Sequence, residues 1–262
     1  MSFSSPELKE ADRGPARWLS LNRPAQRNAL TPGLVAALRD ALARADQEPA
    51  VRAICITAEG EKAFCAGADL SFAPASEGLL AAHEARRAYA HLLADFTRLG
   101  KPVVACVNGA VMAGGLGLLA SCDLAIAVND ATFGAPEVDV GLFPYMALAP
   151  LSRCLGRRAA LELVLTARKL DAAEALHVGL INRAVPRAEL YDRTQELLET
   201  LAAKSPAALR LGRRAFYATQ DLPYEQQLEA LCAQLSLNAL AEDALEGVSA
   251  FLDKRKPDWK GR

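Results

Sequence analysis

The chain has 262 residues, 52% of them hydrophobic, and its 30 Lys and Arg against 31 Asp and Glu leave a net charge of −1. That is ample for a large buried core, in one big domain or two small ones. A balance this even, without a basic stripe, argues against nucleic acid as a partner. No run of eighteen or more apolar residues free of charge reads as a membrane span.

The segment Met1 to Pro15 carries Glu7, Glu10 and Asp12 and no apolar stretch. It reads as neither a secretory signal nor a mitochondrial transit peptide, so a cytoplasmic location is expected. Arg17 to Asn22 then reads as a strand. Thr31-Pro32 supplies an N-cap and a proline at the first helical position ahead of the amphipathic GLVAALRDALARAD. Val51 to Ala58, rich in β-branched residues, is the next strand, and Lys101 to Val107 another, ending in the turn Asn108-Gly109. The glycine-rich stretch that follows leads into an apolar helix, AGGLGLLASC. Asp123 to Val128 and Ala131 to Phe133 are further strands. Strand–helix alternation of this kind predicts an α/β layout with crossover connections.

Beyond about residue 145 the pattern turns helical. Asp171-Ala-Ala-Glu174 is a capping-box pattern, with Gly179 as its stop, and Ile181 to Val185 is a last short strand. Leu190 to Ala203, Pro206 to Thr219 and Tyr224 to Leu252 read as helices. The six cysteines form no C-x-x-C pair and mostly lie in apolar runs, which predicts buried free thiols. The three histidines have no metal-ligand spacing, and no metal is expected.

Three segments carry candidate chemistry. Phe64-Cys65-Ala66-Gly67-Ala68-Asp69-Leu70 follows the strand at 51–58. Asn108 to Gly117 joins a strand to a helix, and the free N–H groups and positive dipole end of a helix N-terminus suit a negative oxygen. Glycines in both segments equally serve tight turns and close packing. Neither G-x-G-x-x-G nor GK[ST] is present, which argues against a dinucleotide or P-loop site. In the third segment, Phe133 to Leu142, Glu137 stands in apolar surroundings. Desolvation there would raise its pKa and fit it for proton transfer near neutral pH, although a surface position or a helix start would account for it as well.

Taken together, LNRPAQRNAL (21–30), AFCAGADL (63–70), KPVVACVNGAVMAGGLGLLASCDLAIA (101–127), ATFGAPEVDVGL (131–142), LTARKLDAAEALHVGLINRAV (165–185) and FLDKRKPDWKGR (251–262) resemble the crotonase superfamily, also called the enoyl-CoA hydratase/isomerase family. The motifs run in the family's order over nearly the whole chain. The resemblance implies an α/β spiral of repeated β-β-α units over residues 1–200, holding the coenzyme A and catalytic sites. A helical trimerisation region, 201–262, follows, with a homotrimer or a dimer of trimers. It implies an oxyanion hole made by the N–H groups of Ala68 and Gly114, with Glu137 as the acid/base. Coenzyme A, part of the substrate and the only cofactor implied, would lie along Ala25, Arg27, Ala66, Gly67, Asp69 and Leu70. Lys254 would stand near its phosphate, from a neighbouring subunit.

Two departures qualify the resemblance. Typical hydratases of the family carry a first glutamate where this chain has Gly117. Tyr145 and Met146 are bulky where many members have glycine; they line the acyl pocket or fill core space. The expectation is an enoyl-CoA hydratase acting through a thioester enolate. The alternatives are a single-glutamate isomerase moving a double bond from C3 to C2, or a homologue that binds coenzyme A or RNA without catalysis.

Overall fold

The computed structural model describes residues 5–69 and 78–262. Its core is a six-stranded sheet in the order β1-β2-β3-β5-β7-β10. β3 (Ala53–Ala58), β5 (Val103–Val107) and β7 (Leu124–Val128) form the middle. Their sequences AICITA, VVACV and LAIAV are unbroken apolar runs because parallel central strands are covered on both faces. β2 (Ala16–Leu21) and β10 (Arg183–Val185) flank them in parallel, and β1 (Leu8–Arg13) closes the edge antiparallel to β2.

A second sheet holds four three-residue strands: β4 (Ala63–Cys65), β6 (Ala110–Met112), β8 (Thr132–Gly134) and β9 (Lys169–Asp171). The chain alternates between the sheets. β3 is followed by β4 and helix α2 (Gly78–Arg98), and β5 by β6 and helix α3 (Gly114–Ser121). β7 is followed by β8 and a short 3-10 turn, Pro136–Val140. This is the β-β-α spiral that the resemblance implied.

Sequence reading overlooks β1, β4, β6 and β9. Three residues are too few to display a period, and β1 (LKEADR) buries only Leu8, its charges facing solvent along the sheet's edge. Helix α1 (Pro32–Gln47) starts where expected, with the Thr31 hydroxyl accepting from the Leu34 N–H at 2.9 Å. It buries Leu34, Leu38 and Leu42 under the sheet. Helices α4 (Tyr145–Cys154) and α5 (Arg157–Thr166) lead to α6 (Ala172–His177), whose Asp171/Glu174 capping box is fully formed.

α7 (Leu190–Ala202) packs on the main sheet. α8 (Pro206–Thr219) is clamped to it: the Arg213 guanidinium donates to both Asp123 oxygens at 3.0 and 2.8 Å and to the Phe96 and Leu99 carbonyls, and the Tyr217 hydroxyl donates to Asp123 at 2.7 Å. The helical stretch expected at 224–252 is two helices, α9 (Tyr224–Ala239) and α10 (Glu242–Leu252). Cys55, Cys65 and Cys106 are buried free thiols as expected. Cys122 is half-buried, and Cys154 and Cys232 lie on exposed helix positions instead.

Candidate active site

The candidate segments meet because of the second sheet. β4, β6 and β8 are adjacent and parallel, paired Ala63 to Ala110, Cys65 to Val111, Val111 to Phe133 and Met112 to Gly134. Parallel neighbours end on the same side, and ligands of such sheets gather at the carboxyl ends of the strands. From those ends issue Ala66-Gly67-Ala68, Ala113-Gly114 and Ala135-Pro136-Glu137.

The first loop is held from outside by the turn at 23–30. The Ala66 N–H donates to the Arg27 carbonyl at 3.0 Å, the Leu30 N–H to Gly67 at 2.7 Å, and the Asp69 N–H to Leu30 at 2.9 Å. Leu30 and Ala68 thus form a parallel bridge in which the peptides flanking Ala68 bind Leu30. The Ala68 N–H is turned the other way, and donates to no acceptor among the described residues. The turn itself is fixed by buried Asn28, which donates to the Glu59 and Ala63 carbonyls at 3.0 and 2.8 Å.

The second loop abuts the first. Gly67 has φ +94°, and a Cβ there would lie 3.0 Å from the Gly114 nitrogen. A Cβ on Gly115 would overlap the Cys65 carbonyl. Ala113 is held at φ 52°, ψ −126°, a strained setting for a residue with a side chain, and its N–H donates to the Gly134 carbonyl at 2.9 Å. Gly114 is the first residue of α3, so its N–H has no partner within the helix. It donates to no acceptor among the described residues.

β8 delivers Glu137 into the 3-10 turn beside these loops. Its Oε2 is buried and has no hydrogen-bond partner among the described residues. Burial pushes the carboxyl above its ordinary pKa, opposed in part by its own backbone N–H. The carboxylate is thus partly desolvated rather than paired or fully exposed.

An enoyl-CoA hydratase/isomerase family model matches residues 17–262. The chain belongs to this family. It is 33% identical over 245 residues to a crotonyl-CoA hydratase of Syntrophomonas wolfei, covering 92% of this chain and 93% of that protein. It is 36% identical over 248 residues to human enoyl-CoA hydratase domain-containing protein 3, mitochondrial, covering 93% and 80%. The crystal structure of an enoyl-CoA hydratase from Mycobacterium smegmatis superimposes with a TM-score of 0.93 at 36% identity, covering 97% of this chain and 99% of that one.

Ala25 and Arg27 are exposed on the turn that grips Ala66, so these segments are brought together. Asp69 is ion-paired with Arg23 at 2.8 Å, and Arg23 in turn pairs with Glu7 at 2.9 Å, which ties the loop to the chain's N-terminal part. Leu70 lies outside the described residues. Tyr145 is 77% exposed at the start of α4, its ring 5.0 Å from that of Phe143, and therefore does not fill core space. Lys254 follows α10, exposed, and its ammonium has no ion-pair partner among the described residues.

One side chain that sequence reading passes over also enters the site. Tyr89, half-buried on α2, donates its hydroxyl to the Gly114 carbonyl. Nothing in the stretch AHEARRAYAHLL marks it, because the contact joins residues 25 apart on different helices. Among the described residues no group of three or more His, Cys, Asp or Glu side chains is placed to hold a metal ion.

Proposed function

We propose that the site forms and protonates the enolate of an acyl-CoA thioester, with 2-enoyl-CoA hydration as its reaction. The observation that carries this reading is the contact of two strand-end loops whose N–H groups, Ala68 and Gly114, have no acceptor among the described residues, beside the buried Oε2 of Glu137, which has no hydrogen-bond partner among them either. Fixed backbone donors hold the thioester oxygen as it gains charge without reorganising at the moment of reaction; removing one such donor in other enzymes costs roughly 10²–10³ in rate. Glu137 moves the proton at the acyl carbons. Its raised pKa suits both halves of that task near neutral pH.

The turn at Ala25 and Arg27, with the backbone of Ala66 and Gly67, holds coenzyme A in this reading, and no further cofactor is required. Tyr145, exposed at the start of α4 with its ring against Phe143, lines the acyl end. Lys254 serves the phosphate end of a neighbouring subunit's ligand. A homotrimer, alone or as a dimer of trimers, is supported by the apolar surface of the last two helices: α9 has no buried residue, and Leu235, Leu240, Leu245, Val248, Phe251 and Leu252 are exposed. No helix of the described residues is long and apolar enough to cross a membrane.

Gly117 favours a second reading, the single-glutamate isomerase. Ultraviolet absorbance during incubation with crotonyl-CoA and with a 3-enoyl-CoA separates the two. Hydration removes conjugation from the first substrate; isomerisation creates it in the second. Binding of coenzyme A thioesters without either change overturns both.

A further inference from the structure

The position of the family's first glutamate is empty of a carboxylate in this chain, but its space is filled. A Cβ on Gly117 would overlap the Tyr89 hydroxyl oxygen and lie 3.1 and 3.2 Å from the Cα and Cβ of Ala147. The phenol of α2 thus ends where a side chain at 117 would begin. Its oxygen is also close to Gly114, 3.5 Å from where a Cβ on that residue would stand. Glu137 is near enough for its charge to act on the phenol. Burial, then the charges of Cys65 and Glu137, raise the Tyr89 pKa well above its ordinary value, so the hydroxyl is neutral at any working pH.

The proton count of that hydroxyl limits its task. Its single proton is committed to the Gly114 carbonyl, so toward the site the oxygen presents only lone pairs. It is an acceptor without charge: too weak a base to take a proton, yet able to orient a molecule that has two to give. Resting on the hydratase reading above, we propose that Tyr89 replaces the missing first glutamate by accepting one hydrogen of the water that adds to the double bond.

The step balances with the groups at hand. The water oxygen bonds to C3 of the 2-enoyl thioester, and the C2–C3 π pair moves through the carbonyl carbon onto the thioester oxygen, held by Ala68 and Gly114. The second water hydrogen passes to Glu137, which returns it to C2 as the enolate collapses. Glu137 ends as it began, a carboxylate, and Tyr89 neither gains nor loses a proton. One carboxylate then suffices for hydration, since the second polar group is needed for aim rather than for proton transfer.

The test compares Tyr89→Phe with the unaltered enzyme in two reactions. One is hydration of crotonyl-CoA. The other is exchange of the C2 protons of butyryl-CoA in D₂O, which needs the oxyanion hole and Glu137 but no added water. The expected result is a fall in hydration kcat of roughly tenfold to a hundredfold, the cost of a misaimed reactant, with little change in KM and with exchange retained. If hydration and exchange fall together, Tyr89 merely positions Gly114, and the proposal is overturned while the enolate reading stands. An unchanged hydration rate overturns it too. An unaltered enzyme that exchanges butyryl-CoA but hydrates no crotonyl-CoA overturns the hydratase reading and the water role with it.

Discussion

The Cβ that Gly67 lacks would fall 2.6 Å from the Cβ of Ala113, inside any tolerable carbon contact. The two loops of the site are therefore in contact only because one of them has no side chain at this point. Gly67→Ala adds a clash to a left-handed φ, with an expected loss of roughly 2–4 kcal/mol. The loops would part before the fold fails. Turnover is expected to drop by about a hundredfold, the scale set by misplacing a reacting group by about 1 Å. Thermal melts and crotonyl-CoA turnover measured on the same sample check both halves.

Glu137 gives a pH prediction with a definite sign. The group must be ionised to take a proton, so kcat/KM falls as pH drops through its pKa. Burial raises that pKa, placing the acid limb above the range of an exposed glutamate. Glu137→Gln removes the limb and lowers the rate by roughly 10²–10⁴. Stability moves the opposite way. A folded pKa above the unfolded one contributes stability below the unfolded value, and this is lost as pH rises through the folded value. Near neutral pH the Gln variant is therefore expected to melt no lower than the parent. A lower melting temperature there, with activity kept, would show that the carboxylate serves structure.

Restoring the family's first glutamate should fail in this framework. Gly117→Glu drives a side chain into the Tyr89 hydroxyl and against Ala147. Overpacking of this kind costs about 1–3 kcal/mol. The variant is expected to hydrate crotonyl-CoA more slowly than the parent. A faster variant of unchanged stability would mean that α2 yields easily and that Tyr89 holds no defined place.

This last contact also marks the limit of what the sequence discloses. The central strands are legible because AICITA, VVACV and LAIAV are apolar without interruption, and α1 and α6 announce themselves by Thr31 and by the Asp171/Glu174 box. The loops at Gly67 and Gly114 show in the order of their glycines, but their juxtaposition depends on β4 and β6, three residues each and without a readable period. Gly117 reads as a loss when taken alone. Only the packing of α2 on α3 reveals that a phenol occupies the place, since Tyr89 lies in a stretch whose amphipathic pattern is that of any surface helix.

The tail that carries Lys254 depends on one carboxylate. Asp243, 2% exposed in the first turn of α10, accepts from the Ser205 hydroxyl at 2.6 Å and from the N–H groups of Lys260 and Gly261 at 2.7 and 2.9 Å. A longer bond of 3.4 Å comes from the Ala207 N–H, and its own N–H donates to the Arg262 carbonyl at 3.0 Å. Burial opposes the charge, but the bonds from Ser205, Gly261, Lys260 and Ala207 outweigh it and hold the pKa below the usual aspartate value. The folded pKa is thus depressed. Its stabilisation is present above the unfolded value of about 3.9 and is lost as pH falls through the folded one. Asp243→Asn sets an amide N–H₂ against donors that it cannot satisfy, with an expected loss of about 2–4 kcal/mol near neutral pH. In melts at fixed protein concentration the gap between variant and parent should narrow as pH falls through the folded pKa, where the parent's carboxylate is itself being protonated. A gap of constant size would mean that shape rather than charge ties the tail down.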